Sequence, residues 1–422
     1  MQLTQKIHIF PTPEQEEVLC KLSERCRLLY NFALAERVDV WKHGRRVNYR
    51  KQQNDLPEIK RKYPKYGWVY SKVLQMVLRQ LDADYKSFFA LRKKGHKDAR
   101  PPRFKGRGYF VAMLYNQSGF GVERGKITLS HFYNDALLEF GIPEKFEFGH
   151  VYQVAVYKDG EDFYLSIVHE REEKPYADNG LYQAVDLGVE KIATAVNFHG
   201  KFLEVKNQRP DKYWQPIIEQ LQSRRDHCKR GSKKWRRLNQ NLKRCQRKCA
   251  NQLRDFQHKL SRRMVDNTQA NTLIIGALEV KQMAQSEKVP KQMRNGLNRT
   301  TQNTGTLSRF ARFLTYKAQL AGKKVIEIDE GGTTRTCYAC GRTHEMKIWD
   351  RTMKCECGNE LDRDRNSAIN LMLRFLSQNA KWTGYSRFAG NLRQTGLPAP
   401  SELVEHPQET PPFRMGLFTA WC

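Results

Sequence analysis

The chain has 422 residues, with 74 Lys and Arg against 45 Asp and Glu, giving a formal net charge of +29. Hydrophobic residues at 39% and aromatics at 11% exclude a mainly disordered chain, and the length suggests roughly two to four domains. No apolar run approaches the ~20 residues of a membrane span and the N-terminus lacks a charged-then-apolar signal pattern, so neither a secreted nor a membrane protein is expected.

In chain order, the first ten residues read as a strand. Thr12, Pro13 and the acidic Glu14, Glu16 and Glu17 then predict a helix start. Leu19, Leu22, Cys26, Leu29, Tyr30, Phe32 and Ala33 continue it at helical spacing. A second helix is predicted over 69–92, with Val73, Val77, Leu78, Leu81, Tyr85, Phe88 and Phe89 on one face. From about 109 to 169 the texture changes to short strands, with a hairpin at Asp159 and Gly160. Another hairpin, turning at His199 and Gly200, is predicted over 183–205. A long helix with Trp235, Leu238, Leu242, Cys245, Cys249, Leu253, Phe256 and Leu260 on its seam follows, then a buried strand over 273–280. A polar loop, a helix near 305–320, a strand over 324–329 and a helix over 366–376 complete the pattern. Beyond about Ser377, Pro, Gly and polar residues predict a tail without a core of its own.

Positive charge spread over most of the length calls for a polyanion, nucleic acid before an anionic membrane, which usually needs one basic amphipathic helix. Between 224 and 263, Arg236, Arg237, Lys243, Arg244, Arg247 and Lys248 lie largely off the apolar seam, almost unrelieved by acids. A solvated face is the usual fate of such charge; here it is read as a phosphate-tracking face. Arg100, Arg103, Lys105 and Arg107 form a second patch, with Phe104, Tyr109 and Phe110 interleaved for packing or base stacking. Tyr63, Tyr66 and Trp68 are further stacking candidates, although core aromatics are commoner.

Six cysteines (Cys20, Cys26, Cys228, Cys245, Cys249, Cys422) are scattered, and four cluster as two close pairs, Cys337 with Cys340 and Cys355 with Cys357. In a reducing cytosol this pattern predicts metal binding rather than a disulfide framework. Gly341 and Gly358 follow the pairs, as tight turns around a metal require. The expectation is a closed structural zinc ribbon, with His344 as an alternative to one thiolate. Three carboxylates stand out as well. Asp186 and Glu279 sit in apolar strand contexts, where an unpaired charge is costly, and Asp364 heads the last helix. Clustered oxygens hold hard divalent cations; taken singly, each acid reads as a solvent-facing strand end, an ion-pair partner or, for Asp364, an N-cap.

The ordered set of Asp186-Leu-Gly-Val, Glu279-Val, Thr333-Thr-Arg-Thr-Cys337, the paired cysteines and Asp362-Arg-Asp364-Arg-Asn366-Ser-Ala resembles the TnpB family of bacterial and archaeal insertion sequences, relatives of the type V CRISPR effector nucleases. The helix ending near Phe89 and the following Pro102-Arg103-Phe104-Lys105 resemble the family too, so the likeness spans roughly residues 1–376. The second cysteine pair, Arg365, Ser367 and the tail depart from the pattern. The resemblance implies an α/β multidomain protein: an RNase H-like RuvC nuclease domain (179–332 and 359–377) with an inserted zinc ribbon (333–358) that binds target nucleic acid. It also implies a β-rich wedge domain (1–12 and 105–178) interrupted by a helical recognition domain (13–104), leaving 378–422 as a flexible tail. Carried over by position, Asp186, Glu279 and Asp364 form the catalytic, Mg²⁺-binding triad, Asp364 being the acid two before Asn366. Arg335 is placed near the scissile phosphate. The implied activity is RNA-guided DNA cleavage by two Mg²⁺ ions beside a short transposon-adjacent motif, with a guide RNA made from the transposon end and double-stranded DNA as partners. A prokaryotic cytoplasmic protein, nucleoid-associated when acting, is expected, its oligomeric state open. The rival readings are a nuclease-silent RNA-guided repressor, a DNA strand-transfer protein and a CRISPR effector.

Overall fold

A computed structural model describes residues 1–123, 125–277, 306–347, 350–379 and 382–400. They form two compact units, one running from Met1 to Glu172 and the other starting at Glu173. No helix among the described residues is long and apolar enough to cross a membrane.

The first unit begins with β1 (Gln2–Ile9) and the long helix α1 (Pro13–Lys42). Thr12 caps α1 as the sequence predicts: its hydroxyl accepts from the Gln15 amide at 3.2 Å, and the Gln15 side chain accepts from the Thr12 amide at 3.0 Å. Helices α2 (Tyr49–Asn54), α3 (Leu56–Lys62) and α4 (Ser71–Lys93) follow, with a short turn of helix, Pro64–Trp68, before α4. Strands β2 (Met113–Asn116), β6 (Val151–Asp159) and β7 (Asp162–Glu170) join β1 in an antiparallel sheet ordered β1-β7-β6-β2. A smaller meander holds β3 (Phe120–Glu123), β4 (Lys126–Leu129) and β5 (Leu138–Gly141). The expected wedge and helical segments share one core, in which Leu22, Leu29, Leu74 and Leu78 of the helices belong with Ile7, Met113, Val154 and Leu165 of the strands. Alternate residues of a strand and every third or fourth residue of a helix can both face one apolar layer, so a single core spans both sides of the expected boundary at 104.

The second unit is built on a five-stranded sheet ordered β10-β9-β8-β11-β12, from β8 (Tyr182–Asp186), β9 (Lys191–Asn197), β10 (Phe202–Lys206), β11 (Thr272–Gly276) and β12 (Lys324–Ile328). The first three are antiparallel, whereas β8, β11 and β12 are parallel. Helices α5 (Pro210–Asp226), α6 (Lys233–Asn267) and α7 (Thr306–Leu320) occupy the long connections. Alternation along the strands separates two cores. Val185, Leu273 and Ile275 pack with Leu260, Met264, Phe310 and Leu314 of α6 and α7. Ala184 and Ile274 pack with Ile369, Met372 and Phe375 of α8 (Arg363–Asn379).

Two expectations change. The predicted coreless tail contains a helix, α9 (Trp382–Gln394), whose Phe388 and Leu392 are fully buried in the same core as α8. Two apolar side chains four residues apart suffice to dock a helix on an existing core, and they stand out little against a polar background. Residues 401–422 lie outside the described residues, as do residues 278–305, where the polar loop was expected. Of the strand predicted over 273–280, Thr272–Gly276 is seen, and positions from 278 on lie outside the described residues.

Candidate metal centres and nucleic-acid surface

The four clustered cysteines converge. The Sγ atoms of Cys337, Cys340, Cys355 and Cys357 all lie within 4.8 Å of one another, with Cys337 to Cys357 at 3.7 Å and Cys340 to Cys355 at 3.4 Å. A tetrahedron of thiolates with metal–sulfur bonds of ~2.3 Å has edges of about 3.8 Å, so the donor set fits a zinc ion. Each pair sits in a tight turn, closed by the Gly341 amide donating to the Cys337 carbonyl and the Gly358 amide to the Cys355 carbonyl. Both glycines have φ near +80°, at 75° and 85°, where a side chain would be strained. A hairpin of β13 (Thr352–Lys354) and β14 (Glu360–Asp362) presents the second pair. The Asn359 amide donates to the Cys337 sulfur at 3.3 Å. His344 is not part of this set; its backbone amide donates to the Arg335 carbonyl. Burial first, then neighbouring thiols, pushes the Cys340 thiol up to about 12.

The second centre lies at the carboxyl ends of β8 and β11. Asp186 ends β8, and the parallel register pairing Ile275 with Val185 sets Gly276 level with it. The Asp186 carboxylate is 9% exposed and accepts a hydrogen bond from the Ser367 hydroxyl at 2.9 Å. Burial and then the charge of Asp364 push its pKa up to about 7, with Glu330 adding to the effect and Ser367 and Arg363 opposing it. Asp364 itself is 13% exposed in its side chain. A buried acid held close to like charge is the electrostatic condition that a hard cation relieves, so this pair fits a divalent metal. Glu279 lies outside the described residues. Among those described, Asp364 and Glu330 both act electrostatically on Asp186, without the three forming a set as tight as the cysteines.

The structure also separates the neighbouring acids of α8. Asp362 caps the helix, its Oδ1 accepting from the amides of Asp364 at 3.0 Å and Arg365 at 3.2 Å. Its other oxygen pairs with Lys191 at 2.9 Å. The N-cap role considered for Asp364 therefore belongs to Asp362, and Asp364, inside the first turn, is near Asp186 instead.

A set of residues to which the sequence reading gave no site role ties the two centres together. Asn366 and Asn370, one helical turn apart on α8, each donate to the carbonyls of Thr333 and Thr336, at 3.2 and 2.8 Å and at 2.8 and 2.7 Å. Asn366 also accepts from the Tyr338 amide at 3.1 Å. Thr333 and Ser367 hydroxyls meet at 3.0 Å, and Arg374 donates to the carbonyls of Asp329 and Gly331. Glu330, the residue between those two carbonyls, lies against Gly276, where a Cβ would collide with its carboxylate. The loop carrying the first cysteine pair is thus fastened to the helix that carries Asp364. The signal was present as Asn366, Asn370 and Arg374 at a spacing of four on an otherwise apolar helix face. Asn366→Ala leaves the Tyr338 amide buried without its acceptor and is expected to cost about 1–3 kcal/mol. Thermal unfolding should show it as a drop of several degrees, and an unchanged midpoint would contradict this role.

The basic candidates divide by exposure. Arg236, Arg237, Lys243, Arg244 and Lys248 are exposed on α6, and Arg247 is half-buried. The seam beneath is formed by buried Leu238, Leu242, Leu253 and Leu260. In the first unit Arg103 and Arg107 are exposed. The Lys105 backbone is clamped by Asn31, which both donates to and accepts from it, and by Arg27, while its ammonium lies over the rings of Tyr30 and Tyr109 at 4.8 and 5.2 Å. Phe104 and Tyr109 are exposed, whereas Phe110 packs edge-on to Phe163. Arg335 is exposed at the approach to the first cysteine pair.

Comparison with known proteins places these features. A family profile described as "Probable transposase", OrfB_IS605, matches residues 166–287, and a "Helix-turn-helix domain" profile of the same group matches residues 1–46. The latter stretch folds here as β1 and the one long helix α1. A "Cas12f1-like, TNB domain" profile matches residues 308–371, which contain the cysteine cluster and Asp364. A Streptomyces pristinaespiralis protein named "Putative RNA-guided DNA endonuclease" is 27% identical, the match covering 89% of this chain and 90% of that protein. The Escherichia coli K12 protein "Putative RNA-guided DNA endonuclease InsQ" is also 27% identical, over 96% of this chain and 98% of its own length. The solved structure of a Cas12f1-sgRNA-target DNA complex shares the fold at a TM-score of 0.51 and 10% identity, covering 88% of this chain and 98% of that one. The ordered motifs, both transposon-type profiles and the full-length relatives agree in supporting a TnpB family protein.

Proposed function

We propose that the protein is an RNA-guided DNA endonuclease that cuts beside a short transposon-adjacent motif. The observation that carries this reading is the buried Asp186 carboxylate at the end of β8, oriented by Ser367 and set close to the charge of Asp364. The strand order β10-β9-β8-β11-β12, antiparallel and then parallel, supports an RNase H-like nuclease core around it. Asp186, Asp364 and Glu279 are the residues that would hold Mg²⁺, which when bound activates a water and stabilises the leaving oxygen. The chain's own part is to keep Asp186 dry and fixed through Ser367, and to fasten Asp364 to the ribbon loop through Asn366 and Asn370. The cysteine cluster is assigned a structural zinc ion, because four protein thiolates leave no open position. The exposed cations of α6, Arg103 and Arg107 are assigned to phosphate tracking along guide RNA and target strand, and Arg335 to the phosphate approaching the carboxylates. The first unit takes the wedge and recognition roles, and the guide RNA is assigned to the transposon end. Retention of the carboxylates favours this over the silent repressor.

The test is to purify the protein from its native locus and sequence the RNA that comes with it. The complex is then given Mg²⁺ and a plasmid library matching the RNA's 3′ end behind randomised flanks. Depletion of particular flanks is expected. Bound RNA without cleavage would favour the repressor, and absence of any bound RNA would end the guided reading.

A further inference from the structure

The first unit carries a cavity to which neither the carboxylates nor the cysteines contribute. It encloses about 650 Å³ between α1, α3 and the Pro64–Trp68 turn, and Arg25, Phe32, Lys62, Tyr63, Lys65 and Tyr66 supply its chemistry. That volume lies within the range of about 300–1,000 Å³ typical of small-ligand pockets, enough for a nucleotide but not for a duplex. Two of its aromatic walls are unusually open for rings of their size: Phe32 is 50% exposed and Tyr63 46%. Tyr63 and Tyr66 meet edge-on at 6.4 Å, so a flat guest can lie on one ring with its edge against the other.

Charge selects the guest. None of the residues lining the cavity is acidic. Lys62 lies over the Tyr63 ring at 5.8 Å, and Lys65 and Arg25 flank the Trp68 ring at 5.8 and 5.7 Å. Aromatic faces beside ammonium groups match a nucleobase with its attached phosphate: a π-face to stack and an anion for the lysines. An apolar peptide side chain would use the rings and offer no anion to Lys62 and Lys65.

We propose that this cavity seats one unstacked nucleotide of a single-stranded segment, its base on Phe32, Tyr63 and Tyr66 and its phosphate at Lys62 and Lys65. The inference requires only that a nucleic acid binds. It stands or falls separately from the cleavage reading, because its readout is binding in the absence of divalent metal.

The test uses the full-length protein and oligonucleotides of about eight residues, RNA and DNA in separate arms, each with a single 5-iodopyrimidine for photocrosslinking. Peptide mapping is expected to place the crosslink at Phe32, Tyr63 or Tyr66, and the arm that crosslinks identifies whether the strand is RNA or DNA. At raised salt, which suppresses general phosphate binding, the double variant Phe32→Ala with Tyr63→Ala is expected to bind about ten- to a hundredfold more weakly. Phe32→Tyr with Tyr63→Phe should bind like the unchanged protein. Both side chains are half exposed, so the alanine variant is expected to melt normally; if it does not fold, the crosslink map of the unchanged protein decides. Crosslinks confined to other peptides, or undiminished binding by a folded alanine variant, would overturn the assignment.

Discussion

Asp186→Asn is expected to reduce guided DNA cleavage by roughly a thousandfold or more while leaving bound RNA unchanged, and in a chelator it is expected to melt no lower than the unchanged protein. The reasoning is electrostatic. Burial of Asp186 and the nearby charge of Asp364 disfavour its ionised form, and one hydroxyl from Ser367 offsets only part of that cost. Asn keeps the shape and an oxygen for Ser367 to donate to, yet removes the charge, so the cation-free protein should gain about 0.5–2 kcal/mol. Mg²⁺ reverses the comparison, because a ligand that binds only the folded state raises its stability. The melting temperature of the unchanged protein should rise with added Mg²⁺ and that of the variant should not. Undiminished cutting by Asp186→Asn would remove this carboxylate from the proposed site, and a strongly destabilised variant would make it structural.

The second large effect concerns the cysteines. Metal analysis of the purified protein is expected to find one zinc per chain, lost in Cys340→Ser together with a fall in melting temperature of about 10 °C or more. Structural zinc in small ribbons contributes on the order of 10 kcal/mol of binding free energy that is also folding free energy. The loss should spread beyond the ribbon, because the Tyr338 amide, one residue after Cys337, is held by Asn366 on the same helix as Asp364. Chelator treatment should therefore lower cleavage even when Mg²⁺ is restored in excess, and zinc should restore it. A metal-free protein that melts and cuts normally would show that the four sulfurs meet for another reason.

Local signals proved legible because their physics is local. The Thr12 cap needs only Gln15, three residues on. The helical seams of α1, α4 and α6 and the Asp159-Gly160 hairpin announce themselves by periodicity and turn chemistry within a few residues. The cysteine pairs were equally plain, since metal-binding turns demand fixed short spacings. Tail helix α9 was missed because its docking depends on Phe388 and Leu392 finding a core built by other segments.

The sequence by itself determined the strong positive charge, the cysteine donor set, the order of most elements and the family resemblance. Only the tertiary structure decided which acids share a neighbourhood. Asp186 and Ser367 are 181 positions apart and meet because α8 packs on the face of β8 opposite α6 and α7. It also decided between Asp362 and Asp364, two residues apart and chemically identical. One turns an oxygen to the helix amides and the other lies near Asp186, a difference set by helix geometry and by where α8 docks. Spacing along a chain encodes contacts within a turn or a hairpin; contacts between distant segments follow from strand order and helix docking, which no local pattern carries.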